Sequence, residues 1–99
     1  NVLISDNRVS KVSDKCLSIG ENSHLEVFGN FLENCGIGIA VKDASKAQIS
    51  ENTIKNSKVG ISAYMKKPIY QRGGTANIFN NRLEGNQKDF EVDNFSEIK

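Results

Sequence analysis

Apolar and polar residues alternate with a period of two in short runs, and the runs recur along the chain. Four segments share the pattern apolar-x-apolar-x-x-Asn-x-apolar: Val2 to Val9, Leu25 to Leu32, Ala47 to Ile54 and Ala76 to Leu83. Each continues into a second alternating stretch, respectively Leu17-Ser18-Ile19, Ile39-Ala40-Val41, Ile61-Ser62-Ala63 and Phe90-Glu91-Val92. A period of two predicts strands, and nowhere does the i, i+3, i+4, i+7 spacing of an amphipathic helix persist. The anchor residues Asn7, Asn30, Asn52 and Asn81 are 23, 22 and 29 residues apart, so the strands belong to a repeat of about 22 residues with one longer insertion. Twelve asparagines, eight glycines and an excess of isoleucine and valine over leucine support strands joined by tight turns.

A single repeat has nowhere to bury its apolar side, whereas stacked repeats bury one another. Stacking places Ile4, Val27, Ile49 and Ile78 in one column and Val9, Leu32, Ile54 and Leu83 in a second. Parallel strands about 4.8 Å apart then pair their backbones between repeats. The four anchor asparagines stack at a turn, each amide bonding its own turn and the next asparagine. Lys15 and Lys88 fall in the column that Ile37 and Val59 fill, which opens that column to solvent at both ends. The expected fold is an all-β solenoid of about four coils, with an antiparallel sandwich of short strands as the competing arrangement.

The central repeats, Asn30-Phe31-Leu32 with Gly38-Ile39-Ala40-Val41 and Asn52-Thr53-Ile54 with Gly60-Ile61-Ser62-Ala63, resemble the right-handed parallel β-helix of pectate-lyase-like proteins. The resemblance spans residues 2 to 93 and is weaker in the first and fourth repeats. It implies three strands per coil, with a polysaccharide groove on the outer face of the third. Outward positions there would be Cys16 and Ser18, then Gly38, Ala40 and Lys42, then Gly60, Ser62 and Tyr64, then Asp89, Glu91 and Asp93.

With 99 residues, 13 basic and 12 acidic groups and a formal charge of +1, the chain is expected to form one domain over residues 1–99, a segment of a larger protein. Its basic groups are scattered, so neither nucleic acid nor a membrane is an expected partner. Candidate chemistry gathers in the insertion at residues 64–74. There Tyr64 and Tyr70 would stack on sugar rings while Lys66, Lys67 and Arg72, beside Lys42, would pair with uronate or sulfate groups. The alternative is a surface loop with its tyrosines against the wall. Asp89, Glu91 and Asp93 alternate on one strand face and are the only approach to a metal site, for calcium. Lys42 is placed as a base in that reading, and a solvated charged edge is the plainer one. No cofactor is otherwise expected. The Asp-Pro-His triplet of alginate epimerases is absent, and His24 is alone.

Cys16 and Cys35 fall at different phases of the repeat and are expected to stay free thiols. Asn94-Phe95-Ser96 matches a glycosylation acceptor. Phe28 and Phe79 take outward positions where Ser5 and Ser50 stand in other repeats, so something is expected to cover them. The chain thus reads as a non-catalytic β-helix scaffold or glycan-contacting module of a bacterial surface or secreted protein, more a module than an enzyme on its own. The alternatives are part of a lyase, hydrolase or epimerase acting on acidic polysaccharide, and a self-associating structural module. Expected partners are a polysaccharide, further copies, or neighbouring coils of the parent chain.

Overall fold

The computed structural model describes residues 2–99, so Asn1 lies outside the described residues. Eleven strands follow one another: β1 (Val2–Ser5), β2 (Arg8–Ile19), β3 (His24–Phe28), β4 (Phe31–Lys42), β5 (Lys46–Ser50), β6 (Thr53–Lys55), β7 (Val59–Tyr64), β8 (Thr75–Phe79), β9 (Arg82–Glu84), β10 (Lys88–Val92) and β11 (Glu97–Ile98). One short 3-10 turn, Pro68–Tyr70, lies between β7 and β8. Every strand pairing is parallel. A first sheet runs β1-β3-β5-β8-β11. In a second, curled sheet β2 pairs with β4, and β4 pairs with β6 along its first part and with β7 along its second. β9 then follows β6, and β10 follows β7.

The chain therefore visits the first sheet, then the second, once in each repeat. Registers match the predicted columns: Ile4, Val27, Ile49 and Ile78 are successive partners, as are Val9, Leu32, Ile54 and Leu83. Val27, Leu32, Ile49 and Ile54 in the middle repeats are fully buried, while the terminal members of each column are half-buried. Full burial of one such side chain contributes about 1.5–3 kcal/mol, and the middle repeats hold most of this core.

Polar ladders hold the corners. The side-chain Oδ1 of Asn30 accepts from the backbone N–H and the amide of Asn7, both at 3.0 Å. Asn52 Oδ1 accepts likewise from Asn30 at 2.9 Å, and Asn81 Oδ1 from Asn52 at 3.0 Å. The residue before each anchor, namely Asp6, Gly29, Glu51 and Asn80, has left-handed backbone, and so does the residue four after it: Lys11, Asn34, Asn56 and Gly85. Two left-handed turns per repeat bend the strands around the core. The Gly-Ile motif has a separate cause. A Cβ on Gly38 would lie 2.6 Å from the Gly60 carbonyl oxygen and 2.7 Å from Ile54 Cγ2, and one on Gly60 would meet Asp89 and Leu83 at 2.7 and 2.8 Å.

Two expectations are overturned. Cys16 and Cys35 form a disulfide with their Cα atoms 5.7 Å apart, and no cysteine is free. Their repeat phases do differ, with Val12 beside Cys35 and Lys15 beside Ile37, but a register shift between Val12 and Lys15 marks irregular backbone in β2 at the bend. Counting phase measures neighbours along the stack only. The bend brings a residue before it in one repeat next to a residue after it in the adjacent one. For the same reason Cys16 does not point outward but packs against the core. The second correction concerns the outer face of the third strands, where Gly60, Ala40 and Ser62 are buried. These small groups sit between larger neighbours, and open surface is left chiefly to the longer side chains.

Candidate functional site

The outer face of β4, β7 and β10 carries a groove of about 360 Å³ lined by Ile37, Ser62, Ala63, Tyr64, Glu91, Val92 and Asp93. Buried Ser62 forms part of its lining and half-buried Tyr64 one wall. Burial pushes the Tyr64 phenol upward, against the opposing pull of the Lys15 ammonium beside it. Lys15 in turn hydrogen-bonds Asp14 at 2.9 Å. That bond raises the lysine and lowers the aspartate from their ordinary values. Lys42 and Lys66 add weakly to the lowering of Asp14 through space, and Lys42 is the register partner of Tyr64. The Lys42 side chain reaches across Gly20 of the preceding repeat, where any Cβ would come within 2.7 Å of its Cε.

The insertion is fixed at its base by one residue that no repeat or motif singles out. Asp43, fully buried and with left-handed backbone, accepts the backbone N–H groups of Lys66 and Lys67 on its Oδ1, each at 2.8 Å. Its Oδ2 has no hydrogen-bond partner. Next to it the Ala44 N–H donates to the carbonyls of Arg72 and Gly73, while the Gly73 N–H donates to Phe95. Asp93 completes the base, its Oδ2 accepting from the Met65 N–H at 2.8 Å and its Oδ1 from the Phe95 N–H at 3.0 Å. Burial acts to raise the Asp93 carboxyl, but these donors outweigh it and hold the group below the usual range. The buried Ser96 hydroxyl also lowers this carboxyl, although its geometry falls short of a full hydrogen bond.

The predicted binding set is therefore divided. Lys42 and Tyr64 are register partners at the groove edge, with Lys15, expected only as a column end, beside them and paired with Asp14. Lys67 turns instead to Glu21, and that pair raises the lysine and lowers the glutamate. Half-buried Tyr70 belongs to the 3-10 turn on this side. Arg72 is exposed and contributes its backbone carbonyl to the loop base. Ile69, at the tip, is 83% exposed. Of the three carboxylates considered for calcium, Asp93 is committed to backbone donors, Glu91 pairs with Lys88 at 3.4 Å, and Asp89 accepts from Asn86 at 3.4 Å. No group of three or more His, Cys, Asp or Glu side chains able to hold a metal occurs among the described residues.

Two sheets of parallel strands, visited in turn by each repeat and cornered by an asparagine ladder, define a β-helical repeat protein. The chain belongs to the family described as right handed beta helix region, which matches residues 1–76. Neither the curated proteins nor the solved structures include a match to it.

Proposed function

We propose that the chain is a four-turn right-handed solenoid of the pectate-lyase-like kind, serving as a non-catalytic scaffold that contacts an acidic glycan in a secreted or surface-exposed protein. The observation that carries this reading is the groove walled by Tyr64, with Lys42 in register beside that ring and Lys15 against its phenol. Such a groove offers an aromatic face to a pyranose and cations to its carboxylate, the combination that an acidic sugar chain requires. The Cys16–Cys35 disulfide favours an oxidising compartment, which supports a place outside the cytosol.

The test is affinity electrophoresis in gels containing polygalacturonate or alginate. A Tyr64→Ala, Lys42→Ala variant should lose about tenfold or more in affinity, and binding should weaken with salt. Equal retardation of wild type and variant, or none for either, overturns the groove assignment. Calcium-dependent release of unsaturated product from the same polymers would make the chain part of a lyase instead.

A further inference from the structure

The first sheet has an outer face that the groove does not use. Burial of Val27 and Ile49 turns their neighbours outward, because side chains alternate along a strand. Ser5, Phe28, Ser50 and Phe79 are successive partners and form one outward column. Phe28 is 47% exposed and Phe79 67% exposed. With Ser50 between them the two rings stand two strands apart, about 9.6 Å at the usual spacing. That is close to the length of two pyranose units in an extended chain. Beside this column Glu26, Gln48 and Asn77 are successive partners, and beyond them His24, Lys46 and Thr75. A shallow cleft of about 200 Å³ lies between the two polar columns, lined by His24, Leu25, Glu26, Lys46 and Gln48.

We propose that this face is a docking platform for a neutral, extended polysaccharide. Phe28 and Phe79 stack on alternate sugar rings, while Gln48 and Asn77 hydrogen-bond the hydroxyls between them. The charge of the face selects the occupant: Glu26 and Lys46 lie on adjacent strands, and Glu97, beside Thr75, is paired with Lys99 at 3.7 Å, so acids and bases cancel. A polyanion gains nothing here, whereas an uncharged chain with apolar ring faces and hydroxyl edges matches both the aromatic and the amide columns. A second copy packed face to face would bring the phenylalanines together but would also bury Glu26, Lys46 and Gln48 without fixed partners, at a cost in desolvation. The platform is independent of the acidic-glycan groove.

Binding is measured by retention on microcrystalline cellulose and chitin, with polygalacturonate read in parallel. The wild type should be retained on at least one neutral polymer with little dependence on salt. A Phe28→Ser, Phe79→Ser variant should lose about tenfold or more. Serine already occupies this column at Ser5 and Ser50, so the ladder tolerates it. Should the variant not melt cooperatively, the wild type is titrated with a β-1,4-linked glucose hexamer while the phenylalanine ring resonances are followed by NMR, and those of Phe28 and Phe79 should shift. No wild-type retention on either neutral polymer, retention unchanged in the double variant, unshifted rings, or a dimer in sedimentation that the double variant dissociates would each overturn the proposal. Loss of polygalacturonate binding alone would fail only the groove.

Discussion

Lys11 has a φ of 58° at the repeat position that Asn34, Asn56 and Gly85 fill elsewhere. Left-handed backbone costs a residue with a Cβ about 1–2 kcal/mol, and asparagine and glycine relieve part of it. Lys11→Asn should therefore raise the free energy of unfolding by about 0.5–1 kcal/mol, read as a higher urea midpoint at unchanged slope. Anchor asparagines were legible in the sequence because each rung needs the same amide within hydrogen-bond reach of the next, which forces one residue type at one spacing. The disulfide was not legible, since Cys16 and Cys35 meet across a bend whose register shift leaves no mark in the repeat phase. Asp43 escaped for a related reason. Its partners are backbone N–H groups more than twenty residues away, and a backbone donor carries no residue signature.

Among the elements, the segment that follows β7 is held at its base by Asp43 and Asp93 rather than laid over the surface. Asp43→Ala removes the acceptor for two N–H groups. It should cost about 2–4 kcal/mol in urea unfolding and expose the segment between Met65 and Gly73 to protease. The exposed Lys67–Glu21 pair contributes little by comparison. Asp93 gives the same base a pH dependence. Its folded carboxyl is held below the usual range, so the folded chain binds fewer protons than the unfolded one in acid. The stability it adds is complete above about pH 4 and declines as pH falls through the unfolded value toward the folded one. Thermal melts from pH 6 downward should show that decline, and Asp93→Ala should flatten it. The strand centres and column register were legible because both follow from the same burial, but β2 and β4 each run on as one strand of 12 residues where three strands per coil were implied, and β11 lies beyond the expected repeat. The outer face of the third strands was less legible, as exposure there depends on how far neighbouring side chains reach.

Over the whole molecule, the core is deepest in the middle repeats, and the first repeat leans on the second. Val2 and Leu3 are largely exposed, and β1 pairs only with β3. The Cys16–Cys35 bridge closes a loop of 19 residues between these two repeats, a constraint worth about 3 kcal/mol in the chain-entropy account. Reduction, or a Cys16→Ser, Cys35→Ser variant, should lower stability by that amount, and hydrogen exchange should show β1 and β2 losing protection before β4. At the opposite end β11 adds a strand beyond β8 in the first sheet, while the second sheet stops at β9 and β10. That end is a stair tread, not a flat landing. A second copy approaching head-on would set its β1 against β11 and leave a gap one strand wide over β9 and β10, where Phe90 and Val92 stand half-open. A strand laid first over β9 and β10, in the second sheet, would fill the tread flush. Deleting residues 94–99 would level it and take away the carbonyls of Lys99 and Phe95 that accept from the Ile78 and Gly73 N–H groups, so hydrogen exchange at those two amides should speed up while that of β4 stays unchanged.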